Sequence, residues 1–152
     1  MSLLILISYL LVPLLVVQVK ATVICPPDDV IAPCNCAESS YYPGTIYLDC
    51  YYSNLNDSRT GEILDGYLTT SGVSPLVYLN LQYNRLTRVP SQVKSCTQLV
   101  DFYFDANLIT SVESGAFNFT GSSNSFRNLF LFGNQLTTIA PDAFEGYIIT
   151  FL

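Results

Sequence analysis

Apolar residues recur at fixed distances from three asparagines in the second half of the chain. An apolar residue lies eight, five and three positions before each asparagine, and two and five positions after it. The asparagines are Asn84, Asn107 and Asn134, and the apolar residues are Leu76, Leu79, Leu81, Leu86, Val89, Leu99, Phe102, Phe104, Ile109, Val112, Phe126, Leu129, Leu131, Leu136 and Ile139. The pattern L-x-x-L-x-L-x-x-N-x-L-x-x-[IV] therefore occurs three times, with Phe, Ile or Val at some leucine positions.

Successive asparagines are 23 and 27 residues apart, within the range of about 20–29 residues for leucine-rich repeats. Apolar and variable residues alternate before each asparagine, which predicts one short strand per repeat with its apolar side chains inside the stack. Ala-Phe pairs at 116–117 and 143–144 lie at matching places on the return segments and support this alignment. The pattern predicts an α/β leucine-rich-repeat solenoid, with short parallel strands on the concave face and a mostly irregular or short-helix convex side. The predicted repeats cover residues 76–98, 99–125 and 126–149.

The repeated asparagine is expected to turn inward at the bend after each strand. Its side-chain amide can donate and accept hydrogen bonds, so it can pair with backbone groups that the bend leaves without a partner. Asn84, Asn107 and Asn134 are therefore predicted to form a structural ladder along the stack.

Residues 3–17 are almost purely apolar, a length that suits the core of a signal peptide and is short for a membrane-spanning helix. Val19 and Ala21 supply the small-residue cleavage pattern that should follow such a core. We expect residues 1–21 to be a signal peptide and the mature chain to be secreted. The alternative is an uncleaved N-terminal anchor.

Four cysteines lie within 26 residues: Cys25, Cys34, Cys36 and Cys50. In an exported protein such a cluster predicts disulfides, and Cys34 and Cys36 are too close to pair with each other. Two pairings remain, 25–34 with 36–50 or 25–36 with 34–50. Residues 22–52 are predicted to form a disulfide-stapled N-terminal cap with a strand at 46–50. A zinc site is disfavoured because C-x-x-C pairs and histidine are absent.

Predictions for three other parts of the chain complete the organisation. Residues 53–75 are expected to be a linker or degenerate repeat, or a helix that opens near Asp57 or Ser58. Cys96 is expected to be a small buried side chain. After Phe144 the sequence stops where another repeat would begin, without a cysteine cap, so the chain is expected to be a fragment or to be capped by a partner.

The segment from Cys25 to Cys36, with its Cys-x-Cys motif, and the downstream Leu48-Asp49-Cys50 resemble the N-terminal cap of extracellular leucine-rich-repeat proteins. Within that group the chain is most similar to secreted arthropod proteins related to the non-catalytic subunit of the Oplophorus-type shrimp luciferase. The broader resemblance implies the pairing Cys25–Cys36 and Cys34–Cys50. The narrower one implies a carrier or stabilising subunit without catalytic residues.

Removal of Lys20 with the signal peptide leaves five of six basic residues against twelve acidic ones, a net charge of −7. Nucleic acid and anionic membranes attract positively charged proteins, so neither is an expected partner. The mature sequence has no second apolar segment long enough to span a bilayer, and membrane insertion is not expected.

Variable strand positions between the inward leucines should face the concave surface. They are Tyr78, Asn80, Gln82, Asp101, Tyr103, Asp105, Asn128, Phe130 and Phe132. Exposed aromatic residues that share one face are typical of a protein-binding patch, and a protein partner is predicted here. The alternative is that these Tyr and Phe residues are present only because they favour strands.

The glycosylation sequons are Asn56-Asp57-Ser58 and Asn118-Phe119-Thr120. Asn118 is the better candidate because it flanks a polar insert at 121–125, a predicted surface loop.

The chain contains no histidine, glycine-rich phosphate loop or metal-ligand cluster, so no catalytic residue, metal or cofactor is predicted. Asp101 and Asp105 could form a carboxylate pair, but a strand separates them by about 13 Å. Three hypotheses follow: a secreted binding or accessory protein, a truncated ectodomain of a membrane receptor or adhesion protein, and a carbohydrate-active enzyme.

Overall fold

The computed structural model describes residues 22–118 and 128–145. The predicted signal peptide, most of the Asn118 sequon and the polar insert lie outside these ranges. The helices are α1 (Asp28–Ile31), α2 (Asp57–Thr69) and a 3-10 helix (Ser91–Ser95). The strands are β1 (Asn35–Glu38), β2 (Ile46–Asp49), β3 (Leu76–Asn80), β4 (Asp101–Tyr103), β5 (Ser111–Val112), β6 (Asn128–Phe130) and β7 (Thr138–Ile139).

Five strands form the main sheet in the order β1-β2-β3-β4-β6. β1 and β2 form an antiparallel hairpin, whereas β2, β3, β4 and β6 are all parallel. Leu79, Phe102 and Leu129 are register partners, as the sequence alignment requires. β5 and β7 form a separate parallel pair. The predicted α/β class with short parallel strands is therefore confirmed.

The inward side chains of successive strands form one hydrophobic core that runs along the stack. Leu79, Leu81, Phe102 and Phe104 are fully buried in it. Phe117, on the return segment after β5, is also fully buried and stacks on Phe144 with ring centroids 5.4 Å apart. Aromatic side chains thus fill the space between the sheet and the return segments.

The three repeated asparagines turn inward and join neighbouring turns of the chain. Nδ2 of Asn107 donates to the carbonyls of Phe104 (3.0 Å), in its own turn, and Leu81 (2.8 Å), in the preceding one. Its Oδ1 accepts the backbone N–H of Leu86 at 3.0 Å. Asn84 and Asn134 repeat this arrangement one turn earlier and one turn later.

Within residues 53–75 the chain forms α2, which begins at Asp57, where the sequence offered a helix as one alternative. Asn56 caps α2, because its Oδ1 accepts the N–H of Arg59 at 2.9 Å. Ile63 and Leu64 are buried against the core on one face of α2. No helix within 22–118 and 128–145 is long and apolar enough to cross a membrane.

Strand β2 begins a turn that is in register with the repeats. Leu48 is the register partner of Leu79. The Leu55 carbonyl accepts the N–H of Arg85 at 2.8 Å, as the Leu86 carbonyl accepts that of Leu108 at 2.8 Å. Residues 46–75 thus form one turn of the chain that pairs in parallel with the next, with α2 between the two strands.

The two disulfides join Cys25 to Cys36 and Cys34 to Cys50. This is one of the two pairings that the spacing allows, and the one that the resemblance implies. Cys50 is part of the hydrophobic core, so the bonds fasten α1 and β1 to the start of the stack. Cys96 forms no disulfide and is buried, which raises the pKa of its thiol to about 12.

We expect Asn107→Ala to lower the free energy of unfolding by roughly 1–3 kcal/mol, since backbone groups at two bends would lose their partner. Chemical denaturation would measure the change. Gln135→Ala is the control, because its side chain is exposed and its backbone bond to Ile109 is kept. Equal stability of the two variants would contradict the structural role of Asn107.

Two glycines of α2 allow a second test. A Cβ at Gly66 would overlap Cγ1 of Val30 on α1, and valine is stiff about χ1. We expect Gly66→Ala to destabilise the fold by about 1–3 kcal/mol, although alanine favours a helix. At Gly61 the nearest atom is the flexible Gln92 Nε2, 3.3 Å away. Gly61→Ala should be neutral or gain up to about 1 kcal/mol. Equal changes in melting temperature for Gly66→Ala and Gly61→Ala would contradict the predicted overlap with Val30.

Candidate binding site

Four rings form a continuous row across the parallel strands, one from each strand. Tyr47 and Tyr78 meet edge to face at 6.0 Å between centroids. Tyr78 and Tyr103 are 4.9 Å apart, and Tyr103 stacks on Phe130 at 4.9 Å. All four side chains are half-buried, and they alternate with the inward leucines because strand side chains change face at every residue. We call these four residues the aromatic row.

More rings lie beyond the strand ends. Tyr51 is 5.3 Å from Tyr83 and 6.4 Å from Tyr52, and all three side chains are exposed. Tyr52, Tyr83, Ala106 and Gly133 have positive φ, between 48° and 67°, at the same step of four successive turns. This recurring left-handed step repeats the backbone geometry at each bend and places Tyr52 and Tyr83 beside each other on neighbouring turns.

The predicted concave residues divide into three groups. Tyr78, Gln82, Asp101, Tyr103 and Phe130 are half-buried, and Asn128 and Phe132 are exposed. Asn80 and Asp105, however, are only 7% and 1% exposed, so their prediction as binding residues is corrected. Oδ1 of Asn80 accepts the Gln82 N–H at 3.0 Å, and the Asp105 carboxylate accepts from Gln82 Nε2. Both side chains close the ends of their strands and offer no ligand surface.

A cleft of about 230 Å³ lies at the β1–β2 end of the aromatic row. Its principal lining residues are Tyr41, Tyr42, Tyr47, Asp49, Tyr78 and Asp101, with two serines of the hairpin loop. Asp49 and Asp101 extend from strands on either side of β3, which carries Tyr78. The cleft therefore combines aromatic rings with two carboxylates.

The β1–β2 hairpin loop holds two tyrosines at the cleft. Thr45 donates to the Tyr42 carbonyl from its backbone N–H (3.2 Å) and its hydroxyl (2.6 Å). Gly44 supplies the positive φ, 82°, that this tight turn needs. Ser39 Oγ accepts the Tyr42 N–H at 3.2 Å. The fixed loop leaves Tyr41 87% exposed at the mouth of the cleft.

Four of the six principal lining residues were not predicted from the sequence: Tyr41, Tyr42, Tyr47 and Asp49. Tyr47 lies between Ile46 and Leu48, and the alternation of the repeat would have found it had the alignment been extended into the cap. Tyr41 and Tyr42 come from a loop whose path depends on the hairpin, and no repeat position marks them.

Electrostatics on this face disfavour ionised phenols. Burial raises the pKa of Tyr78 to about 12, with smaller contributions from Tyr103, Asp49, Asp101 and Tyr47. Burial, Asp101 and Asp105 also raise the pKa of Tyr103. At neutral pH the rings are uncharged hydrogen-bonding groups beside negative carboxylates.

The two glycosylation sequons differ in exposure and in how much of each lies within the described residues. Asn56 is exposed, and its Oδ1 is engaged in the helix cap. A glycan would attach to Nδ2, which the cap bond does not use. Asn118 is half-buried, and Phe119 and Thr120 of its sequon lie outside the described residues.

The geometry does not bring Asp101 and Asp105 together as a carboxylate pair. Of Asp101 and Asp105, only Asp101 lines the cleft, and Asp105 is buried. No group of three or more Cys, Asp or Glu side chains in the described ranges could hold a metal ion. Comparisons of the chain with protein families, curated proteins and solved structures found no match.

Asp105 provides a test of the burial at the strand end. Burial raises its pKa, and the hydrogen bond from Gln82 and nearby backbone N–H groups oppose this only in part. Because the pKa of Asp105 is higher in the folded state, ionisation of this carboxyl opposes folding. The destabilisation is absent below the ordinary value of 3.8 and reaches its full size once the pH exceeds the folded-state pKa. Asp105→Asn should therefore melt above the unaltered protein at pH 7, and the difference should shrink below pH 4.

Asp101→Asn is the matched control, because it removes the same charge from a side chain that is not fully buried. Melting curves at several pH values would measure both variants. A stability difference for Asp105→Asn that does not change with pH, or that changes as much for Asp101→Asn, would contradict the assigned burial effect.

Proposed function

We propose that this chain is a secreted leucine-rich-repeat protein that binds a protein partner through the aromatic row and the adjoining cleft. The observation that carries the proposal is the row itself. Tyr47, Tyr78, Tyr103 and Phe130 cross four parallel strands in continuous ring contact while remaining partly exposed. Large rigid side chains bury much area at a small entropic cost, which is why aromatic residues dominate binding hot spots.

Three features support the leucine-rich-repeat assignment. The strands follow one another in parallel, with Leu79, Phe102 and Leu129 in register as the repeated apolar pattern requires. Each repeated asparagine bonds the backbone of its own turn and of the preceding one. The return segments carry α2, the 3-10 helix and the β5–β7 pair, which suits a convex side of short elements.

Secretion is supported by chemistry at the N-terminal end of the chain. Disulfides persist in oxidising compartments, and two of them fasten the cap. The apolar run at 3–17 and the small residues at 19 and 21 supply an export signal.

A binding role without catalysis is favoured by the chemistry of the site. The usual general base, histidine, is absent from the sequence. Tyr78 and Tyr103 have raised pKa values, so their phenols are poor bases and nucleophiles at neutral pH. A carrier or stabilising subunit, as the family resemblance implies, is one form of this role.

Affinity capture with the immobilised secreted chain, from extracellular fluid of the source organism, tests the proposal. We expect Tyr103→Ala and Phe130→Ala each to weaken the captured complex by roughly 2 kcal/mol, or about 30-fold. Leu68→Ala is the control, because Leu68 is an exposed apolar residue on α2. Melting curves would show that all variants fold.

Two results would overturn the proposed binding face. One is a captured partner that binds all three variants equally. The other is a loss of binding with Leu68→Ala that matches the loss with the ring variants.

A further inference from the structure

The cleft presents two carboxylates on either side of one tyrosine. Tyr78 pairs in register with Tyr47 on β2 and with Asp101 on β4. Asp49 lies two residues after Tyr47 and therefore on the same face of β2. All four side chains line the cleft. A ligand that enters it would contact the rings of Tyr47 and Tyr78 and meet a carboxylate on each side.

Internal hydrogen bonds orient both carboxylates without neutralising them. Oδ1 of Asp49 accepts the Tyr51 N–H at 3.1 Å, and Oδ1 of Asp101 accepts from Asn128 Nδ2 at 2.8 Å. Neither acid forms an ion pair with a described residue. One oxygen of each group thus accepts a hydrogen bond within the protein, and neither group is paired with a described cation.

The described basic side chains do not compensate this charge. Arg59 pairs with Glu62 at 3.1 Å, and Arg88 lies 4.0 Å from Asp57, both at α2. Neither of these arginines lines the cleft, nor do Arg85 and Lys94. The cleft is therefore a negatively charged, ring-lined space without a cation from residues 22–118 or 128–145.

We propose that the cleft binds an arginine side chain of the partner protein, with the guanidinium packed against Tyr47 and Tyr78 and hydrogen-bonded to Asp49 and Asp101. The inference rests on the proposed protein-binding function and specifies the chemistry of the partner. A planar guanidinium stacks on aromatic faces and donates several N–H groups to carboxylates, so it matches both components of the site.

The size of the cleft agrees with one inserted side chain. Its volume of about 230 Å³ is below the range of roughly 300–1,000 Å³ for small-molecule pockets. A neutral sugar could contact the rings but would leave both carboxylates uncompensated. An arginine side chain therefore accounts for both the rings and the carboxylates of the cleft, whereas a neutral sugar accounts only for the rings.

Peptide titration of the full secreted chain tests the proposal. The probe is a capped five-residue peptide, Gly-Gly-Arg-Gly-Gly, and the control peptide has citrulline, the neutral isostere, in place of arginine. We expect weak binding, detected by NMR shifts confined to β2, β3, β4 and the hairpin loop. The citrulline peptide should bind at least about tenfold more weakly, and added salt should weaken only the arginine peptide.

Matched variants separate a local effect from the overall charge. Asp49→Asn and Asp101→Asn should each weaken arginine binding about tenfold, and Tyr78→Leu should do the same by removing a ring. Asp29→Asn, which removes an exposed carboxylate on α1, should leave binding unchanged. Melting curves would check folding, and the citrulline comparison needs no variant.

The inference is overturned if citrulline binds as well as arginine, or if Asp101→Asn and Asp29→Asn behave alike. Binding of a neutral oligosaccharide at the same resonances, without arginine binding, would overturn it in favour of a sugar site. Capture that depends on Tyr103 and Phe130 but not on Asp49 or Asp101 would sink this inference and leave the proposed function standing. If neither ring variant affects capture, the proposed function fails.

Discussion

The inward asparagine is the interaction on which the rest of the stack depends. Each strand ends in a buried bend whose backbone groups cannot pair within the sheet, and buried backbone groups without partners are costly. Asn107 meets this need for two turns at once, since it bonds the Phe104 and Leu81 carbonyls and accepts the Leu86 N–H. One side chain thus closes a bend and fixes the distance and register to the preceding turn.

The aromatic row is a consequence of that fixed register. Tyr103 and Phe130 are register partners on neighbouring strands, and their ring centroids are 4.9 Å apart, which is close to the spacing of paired strands. Tyr78 contacts the ring of Tyr103 diagonally, because its own register partner on β4 is Asp101. These contacts between rings recur from strand to strand because the asparagines hold successive turns in register. A slip of one residue would exchange the faces, bury the rings and expose the leucines. The core and the aromatic row are therefore specified by the same hydrogen bonds.

The sequence predicts the features that depend on the alternation of apolar and variable residues in each repeat. Strand pairing, the inward leucines and the outward Tyr103 and Phe130 follow from alternation alone. Alternation predicts which face of the sheet a side chain lies on, but not how exposed it is to solvent. Asn80 and Asp105 were therefore wrongly predicted to be exposed, whereas both are hydrogen-bonded to Gln82 at the strand ends. Tyr47 was missed because Ser53 stands where the first turn would carry its asparagine, which hides that turn from the pattern.

The charges of Asp49 and Asp101 are not required by the fold. Asp49 and Asp101 use one oxygen each to accept an internal hydrogen bond, a role that the carbonyl of asparagine would fill without charge. Their charges oppose ionisation of Tyr78, which shows a negative potential at the ring. Neither carboxylate forms an ion pair with a residue in 22–118 or 128–145. An arginine from the partner proposed above would supply the positive charge that both carboxylates lack among the described residues.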